Sequence, residues 1–182
     1  MEFSQTEIEG VYVIQPKVFK DQRGYFFESY RQSLFDEGIG RHVEFVQDNE
    51  SKSSYGVLRG LHYQKGEYSQ AKLVRVIKGR VLDVAVDLRK ESKTFGKYVM
   101  VELSEENKTM FFIPRGFAHG FLVLSEEAVF TYKVDNDYAP QAEASIRFDD
   151  PDVNIQWPID SKDMLLSEKD LKAVSLAEAE TF

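Results

Sequence analysis

Along the middle of the chain, apolar and polar residues alternate with a period of two, the spacing that sends successive side chains to opposite faces of a strand. Runs of this kind lie at residues 73–77, 81–88, 98–103, 110–113, 120–124 and 129–134. Between them Lys78-Gly79, 105–108 and 125–127 carry the polar residues and glycine that reverse a chain. Within 81–88, Leu82, Val84, Val86 and Leu88 share one face and Val81, Asp83, Ala85 and Asp87 the other, so the first set is expected to face the core. No helical crossover interrupts 57–146, which favours antiparallel pairing. Strands without a helical layer can cover their apolar faces only with one another. The pattern therefore predicts an all-β sandwich or closed barrel, such as a jelly roll. Helical spacing is confined to the flanks: a short stretch within 30–38 ended by glycine, and two or more short helices across 161–172 and 173–180.

Composition narrows this picture. A chain of 182 residues with 42% hydrophobic content is the size of one domain, read here as 1–182, and can bury a full core. It has no cysteine, which excludes disulfides, thiolate metal sites, iron–sulfur clusters and a cysteine nucleophile. A formal net charge of -8 repels polyanions, so neither nucleic acid nor an anionic membrane is an expected partner. Anion binding must be local, with Arg23, Arg59, Lys72, Arg75 and Arg115 as candidates. The acidic start Met1-Glu-Phe-Ser lacks the basic and then apolar pattern of a secretion signal, and no apolar run approaches the ~20 residues that span a bilayer. A cytoplasmic enzyme is the expectation.

The candidate chemistry centres on three histidines, His42, His62 and His119. Metal enzymes on jelly rolls commonly use two or three histidines with a carboxylate, and no His-x-His pair occurs here, so a metal site is not expected. His62, in Gly56-Val-Leu-Arg-Gly-Leu-His-Tyr-Gln64, reads either as a half-buried polar residue or as a general base, for which imidazole has a suitable pKa. His119, in Ile113-Pro-Arg-Gly-Phe-Ala-His-Gly-Phe121, reads as a turn-end residue packed between phenylalanines. Tyr132 is an interior filler or a phenolic proton donor. Asp170, in Ser167-Glu-Lys-Asp170, fits a helix-start cap. Tyr138 could anchor a loop or stack on a base.

Taken together, the motifs resemble one family, the dTDP-4-dehydrorhamnose 3,5-epimerases of rhamnose biosynthesis. The resemblance is carried by Asp21-Gln-Arg-Gly-Tyr-Phe-Phe-Glu28, Gln47-Asp-Asn49, Leu58-Arg-Gly-Leu-His-Tyr-Gln64, Gln70-Ala-Lys-Leu-Val-Arg75, Asp83-Val-Ala-Val-Asp-Leu-Arg89, Ile113 to Phe121, Tyr132-Lys133, Tyr138-Ala-Pro140 and Ser167 to Asp170. It implies a cupin-type jelly roll, a homodimer exchanging N-terminal strands, and a cofactor-free epimerase acting on a dTDP-4-keto-6-deoxy sugar. By position, His62 matches the catalytic base, Asp170 the carboxylate that orients it, Tyr132 the proton donor and Lys72 the group beside the C4 carbonyl oxygen. Arg23, Phe26, Glu28, Gln47, Asn49, Arg59, His119, Glu143 and Lys169 match substrate-binding positions, and Tyr138 the ring that stacks on thymine. Strict alternation would put Arg59 and His62 on opposite faces, so a bulge is predicted at Gly60. The rival readings are a mono-epimerase or ketoisomerase on the same sugar, and a non-catalytic sugar- or nucleotide-binding jelly roll.

Overall fold

The computed structural model describes residues 1–182. Every strand pairing is antiparallel. One sheet has six strands in the order β1 (Glu2–Gln5), β2 (Tyr12–Gln15), β10 (Met110–Ile113), β7 (Lys72–Lys78), β12 (Glu127–Val134) and β5 (Gln47–Ser54). The other has five: β13 (Glu143–Ser145), β6 (Leu58–Gln64), β11 (Phe117–Val123), β8 (Arg80–Asp87) and β9 (Tyr98–Ser104). They face each other as a cupin-like jelly roll. A separate hairpin joins β3 (Phe19–Asp21) to β4 (Gly24–Phe26). All six predicted runs form strands.

Hydrocarbon from both sheets fills the space between them: Val74, Val76, Phe111 and Phe130 from one, Val81, Ala85 and Phe121 from the other, all buried. This assignment inverts the expectation for β8. Val81 and Ala85 look into the sandwich, whereas Val84, Val86 and Leu88 face outward and are buried under Ile146, Val153, Ile155 and Leu176 of the C-terminal tail. Both faces are apolar because both are covered, and period alone does not say which cover is the core. Asp83 is fully buried among these residues.

The tail itself is not helical as predicted. It is mostly extended, with single 3-10 turns at Ser161–Asp163 and Asp170–Lys172. Near Ala173 to Glu180, Ser175 donates through both its N–H and its Oγ to Glu178, a local side-chain bond that competes with helix formation. The tail is held as a strap: Leu58 N donates to Leu165 O (3.0 Å), Leu165 N to Gly56 O (2.8 Å) and Arg147 N to Val174 O (2.9 Å). At the other flank α1 spans Gln32–Ile39 and stops at Gly40, whose φ of 71° is left-handed, rather than at Gly38. Gly38 lies inside the helix, where a Cβ would sit 2.4 Å from the Phe3 ring, so glycine serves close packing there and not chain termination.

The bulge at Gly60 is present. His62 pairs with His119 and Arg59 with Phe121, so three steps along β6 match two along β11. Gly60 has a φ of +143°, and a Cβ on it would lie 2.5 Å from the Gly120 Cα, so the close approach of the two strands requires glycine. Beyond this kink Arg59 turns to the six-stranded sheet, its Nε donating to Ser53 Oγ of β5 at 3.0 Å.

Candidate active site

Polar side chains converge at one end of the sandwich interior. On β6, His62 Nε2 donates to Asp170 Oδ1 at 2.5 Å, leaving Nδ1 for any other partner. Asp170 is delivered by the strap and is 4% exposed. Burial pushes its carboxyl up, but hydrogen bonds from His62 and Ser167 outweigh this and hold it below the usual carboxylate range. Asp170 N donates in turn to Ser167 Oγ at 3.2 Å, a cap-like bond at a single 3-10 turn rather than at the start of the helix expected here.

His119, opposite His62 on β11, donates from Nε2 to both oxygens of Asp83, at 2.9 and 3.0 Å. Burial lowers the His119 pKa, so the ring is neutral, and it raises that of Asp83, against which His119 and Lys72 favour the carboxylate. Lys72 opens β7 beside this pair. Desolvation pulls its ammonium pKa from 10.5 down to about 8, against the opposing charges of Asp83 and Glu143. It therefore stays cationic at neutral pH while held in a site of low polarity.

The facing sheet carries Tyr132 on β12, half-buried against the core. Burial raises its phenol pKa; nearby Arg59 lowers it and Glu143 raises it. The hydroxyl is consequently protonated at neutral pH. Next to it on β5, Gln47 Nε2 donates to Asn49 Oδ1 at 2.7 Å, with Asn49 paired to Tyr132. At the rim Glu143 accepts from Tyr138 OH at 3.1 Å and is ion-paired with Lys169. Tyr138 is otherwise exposed, its ring open on the surface.

Thus His62, Lys72, His119, Tyr132, Asp170, Arg59, Gln47, Asn49, Tyr138, Glu143 and Lys169 are brought to one end of the sandwich. Arg23, Phe26 and Glu28 are not joined to it within the chain. Arg23 pairs with Asp21 on the exposed β3–β4 hairpin, Phe26 is 70% exposed, and Glu28 pairs with Arg31. Arg75 points outward over the Phe27 ring and Arg115 pairs with Asp135, so neither is a free anion-binding group in the site. Sequence reasoning missed Asp83 and Ser167 as site residues. A carboxylate in register with Val81 and Ala85 was the available signal for the first; the second was read only as a cap.

A groove of about 340 Å³ lies on the outer face of the six-stranded sheet between Ser29, Glu50, Arg75, Ile77 and Lys133. Asn49 and Tyr132 of the site also border it, whereas His62 and Asp170 do not. No helix is long and apolar enough to cross a membrane.

A jelly roll with a carboxylate-held imidazole on one wall and, on the other, a protonated phenol and a half-buried, desolvated ammonium defines an acid/base isomerase. A sequence profile of the dTDP-4-dehydrorhamnose 3,5-epimerases matches residues 5–178. The chain belongs to that family. It is 54% identical over 182 residues to the dTDP-4-dehydrorhamnose 3,5-epimerase of Shigella flexneri, covering 100% of this chain and 99% of the relative. The epimerase of Legionella pneumophila, solved in complex with dTDP-4-keto-L-rhamnose, superposes with a TM-score of 0.94 at 47% identity, covering 98% of this chain and 94% of that one. A 3'-monoepimerase from Streptomyces bikiniensis, in complex with dTDP-quinovose, superposes with a TM-score of 0.89 at 36% identity, covering 97% and 88%.

Proposed function

We propose that this chain inverts C3 and C5 of dTDP-4-keto-6-deoxyglucose to give dTDP-4-dehydrorhamnose, a step in dTDP-L-rhamnose biosynthesis. The observation that carries this reading is the placement of the His62–Asp170 pair and Tyr132 on opposing sheets. The 4-keto group acidifies the C–H bonds on both neighbouring carbons. His62 Nδ1 takes the proton, Asp170 stabilises the resulting imidazolium, and the electron pair moves onto the carbonyl oxygen as an enolate. Lys72 stabilises that charge where it develops, as a preorganised cation in a partly desolvated site. Inversion requires the proton to return to the opposite face of the ring, which a single imidazole does not reach; Tyr132 donates it from the other wall. A second cycle treats the other carbon.

Arg59, Gln47, Asn49, His119, Glu143 and Lys169 bind the sugar nucleotide, and Tyr138 stacks on thymine. The assembly we propose is a cytoplasmic homodimer with exchanged N-terminal strands. The exposed aromatic hairpin at Phe19, Tyr25 and Phe26 and the open groove on the six-stranded sheet support it, since a second copy would cover both. Arg23, Phe26 and Glu28 would then reach substrate held by the partner. Proton NMR of the turnover product in deuterium oxide tests the reaction: deuterium at both C3 and C5 is expected, and deuterium at one carbon alone would mark a mono-epimerase.

A further inference from the structure

Asp170 has a second partner that the mechanism above does not use. Ser167 Oγ donates to Asp170 Oδ2 at 2.8 Å, while Oδ1 accepts from His62. Each oxygen of this buried carboxylate thus has its own donor, one from the base and one from a residue on the same strap. The strap offers little else to hold the carboxylate: between its pins at Leu165 and Val174 it contains only the 3-10 turn Asp170–Lys172. Without the hydroxyl, Oδ2 would be a buried acceptor with no partner, and the carboxylate would gain by rotating to find one.

We propose that Ser167 is a positioning residue for proton transfer: its hydroxyl clamps Asp170 Oδ2 so that Oδ1 alone meets His62, keeping Nδ1 aimed at the substrate carbon. This rests on the reading of His62–Asp170 as the catalytic base. The same hydroxyl also accepts from Asp170 N, so positioning must be separated from simple capping of the turn. Three substitutions separate them. Threonine keeps both functions. Aspartate caps about as well as serine but sets a second carboxylate against Asp170 Oδ2 in place of a neutral hydroxyl donor, and glycine, with no donor at all, costs a cap only a few tenths of a kcal/mol.

The experiment measures kcat and KM of S167T, S167D, S167G and D170N with dTDP-4-keto-6-deoxyglucose, together with thermal unfolding and the low-field imidazole N–H resonance of His62. S167T is expected to retain kcat within about twofold, while S167D and S167G lose about tenfold in kcat at unchanged KM and displace or broaden the resonance. Wild-type kcat and an unmoved resonance in S167D and S167G would reduce Ser167 to a cap and overturn the proposal, as would an S167T as impaired as S167G. D170N distinguishes the two layers. If D170N is inactive and S167D intact, only the role of Ser167 fails; if D170N keeps full activity, the base assignment beneath it fails.

Discussion

The two ends of the sandwich interior are built from the same strands and do opposite things. On the inner face of β7, Val76 and Val74 give way to Lys72; on β12, Ala128 and Phe130 to Tyr132; on β11, Val123 and Phe121 to His119. One end is closed hydrocarbon, with Phe121 stacked on Phe130 at 4.1 Å. The other holds ionisable groups whose properties depend on that hydrocarbon, because desolvation is what pulls Lys72 down and pushes Tyr132 up. The apolar end stabilises the fold and supplies the low polarity against which the other end works.

The comparison breaks most sharply at its two extremes. His62→Ala is predicted to lower kcat by about a thousandfold, read by coupled assay, with little change in unfolding midpoint. Phe111→Ala, at a fully buried position of the apolar end, is predicted to cost about 3–5 kcal/mol in denaturant unfolding while molecules that remain folded turn over normally. A Phe111 variant that lost activity without losing stability would undo the division.

Lys72 sharpens the comparison through pH. Its folded pKa of about 8 lies below the ordinary 10.5, so below pH 8 both folded and unfolded chains carry the proton. Between about 8 and 10.5 the unfolded chain binds a proton that the folded one does not, and this residue's contribution to stability rises with pH. Activity should move the other way, with kcat falling through pH 8 as the ammonium is lost. Asp83 raises the Lys72 pKa, so Asp83→Asn is predicted to shift the alkaline limb of the pH–rate profile to lower pH. A limb that stayed in place would separate Asp83 from Lys72.

The apolar end was also the legible end. Its strands alternate cleanly, and all six predicted runs formed. β5, with the sequence Gln47-Asp-Asn-Glu-Ser-Lys-Ser-Ser54, was not read as a strand because its inner face is itself polar: Gln47 and Asn49 line the site, so the usual hydrophobic signal is missing. The inner and outer faces of β8 were exchanged because the strap that covers the outer face is extended and leaves no periodic mark. The bulge at Gly60 was foreseen because the family resemblance put Arg59 and His62 at one site, against the alternation of the strand. The partnership of His62 with Asp170 spans 108 positions and came only through family resemblance; no local pattern encodes it.

The central claim is that base and acid stand on opposite walls, and Tyr132→Phe in deuterium oxide tests it most directly. With the base intact and the opposing donor gone, the account predicts that His62 still exchanges carbon-bound protons of dTDP-4-keto-6-deoxyglucose, so deuterium enters recovered substrate while inverted product falls sharply. Normal yields of doubly inverted product from this variant would contradict it, because protonation of the second face would then come from somewhere other than Tyr132.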